Sequence, residues 1–296
     1  MNALASKSAL SPTETRPVLG IALMTFALFL LTVSDAMTKT LGAKFDVTQI
    51  LCLRAVFMMV PIAVMTSRTG GLGSLRVNRA RDISLRVALF ILTTVLIATS
   101  MILLPLADAA ATLFAGPLFI TALAPWLLGE TVRWRRWAAV IVGFLGVLIM
   151  LRPTPDTIQP LALIAVAAAL SSAFRDVITR KISATETTNA IMFWSTLALF
   201  IAGGARAIFV WIQPTLTDMV LFALSGFLIG GAHYMMIESY RAAEASLVSP
   251  FKYTAILWAV ALGYFFWGDT PDAFILSGSV LVIGSGLYIL FRETKR

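Results

Sequence analysis

Ten apolar runs, most of them about twenty residues long, follow one another along this chain with only short polar breaks between them. A helix rises about 1.5 Å per residue, so about 20 residues cross a hydrocarbon core of ~30 Å. The runs are residues 17–42, 46–67, 82–104, 108–128, 134–151, 159–182, 188–212, 217–241, 245–267 and 272–291. Turn residues mark the breaks at Gly70-Gly71, Gly129-Glu130-Thr131, Arg152-Pro153, Gln213-Pro214 and Gly268-Asp269-Thr270. Lipid offers free backbone groups no partner, which makes each run a helix. Composition agrees: 59% of the 296 residues are hydrophobic and 13% charged, against about 25% charged where a surface must face water. The expected fold class is an all-α membrane protein of ten transmembrane helices with no soluble domain.

The same reading excludes several functions. Residues 1–16 are a polar lead-in, and the apolar run from Val18 to Val33 lacks a small-residue cleavage site, so it reads as a retained first helix. Cys52 is the only cysteine and His233 the only histidine. An intramolecular disulfide and a Cys/His metal site are thereby excluded, and no metal or other cofactor is expected. There is no G-x-x-x-x-G-K-[ST] phosphate loop. The net charge of +8 does not point to nucleic acid, because the basic residues fall in short loops beside the membrane. Sixteen of them, Arg86 included, lie on the side of the N-terminus and four on the other. That bias places both termini in the cytoplasm of a bacterial-type inner membrane.

The chain also repeats itself. Gly129-Glu130-Thr131 answers Gly268-Asp269-Thr270 139 residues later, and Ala107-Asp108-Ala109 answers Ala243-Glu244-Ala245 at an offset of 136. Asp35 answers Asp176 at 141, and Lys39 then falls on Arg180. The halves are residues 17–151 and 159–291, with cytoplasmic ends 1–16 and 292–296. Five spans is an odd number, so the second half enters the membrane upside down. Inverted repeats are an architecture of secondary transporters, which rock one half against the other around a central site.

Pro105-Leu106-Ala107-Asp108-Ala109 leads into a proline-broken span ending in Gly129-Glu130, followed by the Gly-rich span Trp137 to Leu151 and Leu151-Arg152-Pro153. This pattern resembles the drug/metabolite transporter superfamily, in particular its ten-helix EamA-type exporters, and within them the YddG-like amino-acid exporters. The resemblance covers essentially the whole chain. It implies a basket of ten helices around a central cavity, with no bound cofactor and no ATP hydrolysis.

Ionisable groups in a membrane are costly and mark a partner or a wet cavity. Asp35 and Arg54 share a depth near the end away from the termini and are expected to pair across the cavity wall. Arg175, Asp176 and Glu238 lie toward the terminal end, where they suit gates or ion pairs. Lys252 and His233 are deeper and are the first candidates for substrate contact, Lys252 for a carboxylate. Tyr253 follows Lys252, while Tyr234, Trp194 and Trp258 fall inside spans and suit a pocket for an apolar side chain. Pro117 and Pro250 fall within one turn of each other after repeat alignment, and both are expected to kink their helices.

The expected function is export of aromatic or other neutral amino acids, or related small metabolites, by alternating access. The expected partners are that solute and the lipid bilayer, and the chain is compatible with action as a monomer. Two alternatives stay open. One is another solute, such as an S-adenosylmethionine-like cation, a nucleotide-sugar or a drug. The other is a lipid-modifying enzyme, which the single His and Cys disfavour; no enzymatic chemistry is expected.

Overall fold

A computed structural model describes residues 16–103, 113–151, 162–267 and 271–294. Its spanning elements are α1 (Pro17–Gly42), α2 (Val47–Arg68), α3 (Ala80–Leu103), α4 (Gly116–Leu128), α5 (Trp134–Leu151), α6 (Ala162–Ile182), α7 (Thr188–Ala207), α8 (Leu216–Ala242), α9 and α10 (Ala273–Thr294). The ninth is interrupted: a helical turn at Ala245–Val248, a 3-10 stretch at Ser249–Tyr253, then helix again over Thr254–Trp267. Six of these, α1, α2, α7, α8, α10 and α9 over Ala245–Leu262, are long and apolar enough to cross a bilayer on their own. α6 instead carries Arg175, Asp176, Arg180 and Lys181.

The boundaries differ from the apolar runs where local chemistry intervenes. α7 stops at Ala207, five residues short of its run, because Ile208 to Ile212 turn toward the polar loop at Gln213-Pro214. α4 ends at Gly129, whose φ of +68° a residue with a side chain rarely adopts. Pro117 stands in the first turn of α4, where its missing N–H costs nothing, and a turn at Phe114 and Ala115 separates this helix from helical Leu113 just before it. Pro250 lies within the 3-10 stretch of α9, so the chain there is broken by a change of helix type. Ala107-Asp108-Ala109, Arg152-Pro153 and Gly268-Asp269-Thr270 lie outside the described residues.

Packing follows the repeat. α1 lies along α8 and α3 along α6, and exchanging the two halves converts one pair into the other. The same exchange relates α4 on α6 to α9 on α1, while α5 with α10 and α2 with α7 are their own images. The fold is thus two inverted five-helix repeats around a central space. Lipid gives helices no hydrophobic reason to associate, so close approach has to come from small residues. At the α5–α10 crossing, a Cβ on Gly278 would fall 2.5 Å from the Gly146 carbonyl oxygen, and one on Gly146 2.8 Å from that of Gly278. Either Cβ would force the two backbones apart.

Candidate functional site

The polar centre is built on α6. Asp176 is buried there and accepts from Arg175 Nε at 3.0 Å and from the Lys252 ammonium, which the broken stretch of α9 delivers. Arg175 also donates through Nη2 to Ser172 Oγ at 3.0 Å. One turn further along α6, Thr179 Oγ1 accepts from Nε of Arg86 at 3.2 Å, and Arg86 Nη1 donates to Ser195 Oγ of α7. Arg86 is 5% exposed. A small cavity lies among Arg86, Arg175, Asp176, Thr179, His233 and Tyr240, with about 10 Å³ of free space, room for one water. His233 stands edge-on to Phe90, ring centroids 5.6 Å apart. Three cations thus gather near one carboxylate: Arg175 and Lys252 pair with Asp176, and Arg86 stands one turn away on hydroxyl partners.

Arg86 is the residue that sequence reasoning missed, by counting it with the loop arginines. The signal was available in helical phase. Ile83, Arg86, Phe90 and Thr93 follow one inward stripe and all are buried, whereas Arg81 falls off it and is exposed, and the exposed Arg79 precedes the helix.

Other expected contacts are rearranged. Asp35 and Arg54 do not form an ion pair within 4 Å; Arg54 is buried and donates to Thr38 Oγ1 at 2.8 Å and Ser34 Oγ at 3.0 Å, while its Nε has no partner. Asp35 is nine residues beyond Phe26, two and a half turns, so it lies on the opposite side of α1 from that exposed phenylalanine. It is in line with Met24 and Leu28, which are buried, yet Asp35 itself is exposed. The inner side of α1 therefore borders an open space at that depth.

Tyr253 points away from Lys252: it is fully buried against Gly143 of α5 among Val147, Met150 and Val282. Trp194 is 40% exposed and donates to the Leu75 carbonyl at 3.2 Å, near the terminal face and outside the central cavity. Trp258 donates to the Thr25 carbonyl at 3.2 Å and packs edge-on against Phe29, so it binds α9 to α1. Tyr234 packs beside Ile62, Ile182 and Ile191. Glu238 accepts from Thr188 and lies 3.5 Å from Arg241 on its own helix.

Around this centre, at the terminal face, carboxylates reach across the halves. Glu130, after α4, accepts from the backbone of Ala245 at 2.8 Å and of Ser246 at 3.0 Å and from Ser246 Oγ at 2.7 Å, capping the start of α9. Glu186, after α6, is buried and accepts from the backbone N–H groups of Asn78 and Arg79 before α3.

Comparison with known proteins adds to this geometry. Residues 159–291 match the EamA-like transporter family. An S-adenosylmethionine uptake transporter of Rickettsia bellii is 26% identical over 280 residues, 94% of this chain and 95% of its own. A riboflavin transporter of Rhizobium johnstonii is 33% identical over 193 residues, 65% of this chain and 64% of its own. One solved crystal structure superposes with a TM-score of 0.81 at 20% identity, covering 94% of this chain and 99% of that one, which bears on the fold alone.

Proposed function

We propose that the chain, whose residues 159–291 match the EamA-like transporter family, is a secondary transporter of the drug/metabolite transporter superfamily that moves a small amino-acid-derived metabolite by alternating access in a bacterial inner membrane, with both termini in the cytoplasm. The observation that carries this reading is the excess of cations at the bundle centre, Arg86 buried and Arg175 and Lys252 largely so. Arg175 and Lys252 both pair with Asp176, and Arg86 lies one turn along with no carboxylate of its own, beside a cavity with room for one water. Burying unmatched positive charge is costly, and a protein retains it where an anionic group will arrive. A solute carboxylate satisfies that demand and takes up the free donors.

Among such solutes, one of the S-adenosylmethionine kind ranks above a free amino acid. Relatives matched over almost their entire length carry that name, and its methionine-derived end supplies the carboxylate. Export of aromatic or neutral amino acids rests only on resemblance. Catalysis has no comparable support.

Counterflow in proteoliposomes tests the proposal. Vesicles preloaded with unlabelled S-adenosylmethionine, methionine, phenylalanine or riboflavin are offered the labelled compound, with and without a pH gradient. Exchange of S-adenosylmethionine or methionine is expected. Arg86→Gln should weaken half-saturation about tenfold or more, which corresponds to ~1.4 kcal/mol, the scale of one charge-assisted hydrogen bond. Exchange of riboflavin alone would assign the site to another solute class.

A further inference from the structure

Each half of the chain builds the same small motif on its first helix, and the two copies differ in their cations. Asp35-Ala36-Met37-Thr38-Lys39 on α1 answers Asp176-Val177-Ile178-Thr179-Arg180 on α6, 141 residues later. In both copies the threonine hydroxyl accepts from a buried arginine: Thr38 from Arg54, and Thr179 from Arg86. Asp176 is neutralised from within the protein, by Arg175 and by Lys252. At the repeat-equivalent positions the first half has neither cation. Arg175 is answered by Ser34, and Lys252, at the offset of 136 that relates the starts of α4 and α9, is answered by Gly116. Among the described residues a Cβ on Gly116 would meet nothing within 4 Å, so no described group occupies the start of a longer side chain there.

Asp35 is left without an ion pair among the described residues, on the inward side of α1 and exposed to the space there. Beside it, Arg54 keeps a buried Nε with no partner. The charge of Arg54 acts on Asp35 from beyond ion-pair distance, and a carboxylate with no cation in contact at this depth is retained for a purpose; the other copy of the motif indicates what it lacks.

We infer that Asp35 is the binding site for an organic cationic group of the solute, an ammonium or sulfonium, which occupies the position that the Lys252 ammonium fills in the second half. The inference rests on the transport reading above and names the second charge of that solute. The carboxylate of the solute belongs to the Arg86–Lys252 side and its cation to Asp35. In the inverted repeat these two sites lie on opposite sides of the midplane, so a zwitterion bridges the halves that rock.

Two independent measurements test it on the full-length protein. Counterflow of labelled S-adenosylmethionine and of labelled methionine is compared for wild type, D35N and D35E. D35N is expected to raise half-saturation at least tenfold and D35E to recover part of the loss. A loss confined to S-adenosylmethionine assigns Asp35 to the sulfonium, and a loss for both assigns it to the ammonium. If D35N leaves both exchanges intact at equal pH and abolishes only gradient-driven accumulation, Asp35 takes a proton and the inference fails. The second measurement needs no solute. In detergent, Gly116→Lys should melt several degrees above Gly116→Met, because a tethered ammonium reaches Asp35, and the difference should vanish on the D35N background. Equal melting temperatures for the two variants overturn the inference even if transport is established. Absence of exchange for every solute, with the lysine effect present, overturns the transport reading and leaves the cation site standing.

Discussion

Lys252 and Asp176 are 76 positions apart in sequence and in contact at the centre of the bundle, so each is exposed to the loss of the other. The consequences are unequal. Removing Lys252 leaves Asp176 with Arg175, 3.0 Å away; removing Asp176 leaves Lys252, Arg175 and Arg86 facing one another. Breaking a buried pair from one side costs about 3–5 kcal/mol, whereas replacing both charges with apolar groups is close to neutral. Asp176→Leu should therefore lower the melting temperature most and Lys252→Met less. The double variant should recover part of the loss while remaining inactive in transport. Additive losses in thermal unfolding would show that the two side chains do not act as a pair. Sequence alone singled out Lys252 because no opposite charge stands at helical spacing from it, which made it a candidate for a substrate carboxylate. The partner proved to be on another helix, and spacing along one helix carries no information about that.

At the scale of elements, what ties the terminal face together is capping between halves. Glu130 satisfies the first N–H groups of α9 and Glu186 those before α3, donors that would otherwise be orphaned at a helix start. Losing such a cap costs about 1 kcal/mol, which changes the balance between two conformations about fivefold. Glu130→Ala is thus expected to favour states open at that face. With Cys52 replaced by Ala, a cysteine at Met236, which lines the central cavity, should react several-fold faster with a soluble maleimide applied from the terminal side. An unchanged rate would mean that the cap stabilises the helix without gating. The Gly129-Glu130-Thr131 break was legible as a turn and as a repeat marker, because glycine and charge stand out between apolar runs. Its role as a cap was not, since the helix it caps begins 115 residues later. Pro250 and Pro117 each stand at an interruption, Pro250 in the 3-10 stretch of α9 and Pro117 just after the turn at Phe114 and Ala115, because a proline has no N–H to give to a preceding turn.

For the whole molecule, the bilayer made most of the architecture readable. Ten apolar runs must become helices, and helix ends must carry the polar residues, so span count and approximate boundaries follow from hydropathy. The interior was less readable because charges there obey helical phase and contacts between halves, as Arg86 illustrates by sitting six residues inside α3 and buried. The inverted relation of the halves makes a prediction that hydropathy alone does not. Gly129 and Gly268 end the fourth and ninth spans, repeat-equivalent positions in two units of opposite orientation; Gly268 lies outside the described residues, so its side is fixed only by the direction of α9. The concentration of Lys and Arg on the terminal side leads us to propose that this side is cytoplasmic. On a cysteine-free background, a cysteine at Gly129 is expected to label only when an impermeant maleimide reaches the cytoplasmic face, and one at Gly268 only from the periplasmic face. Labelling of both from the same face would contradict the inverted repeat. Labelling of each from the unexpected face would keep the repeat and reverse the orientation, and it would then place the Glu130 and Glu186 caps over the periplasmic mouth.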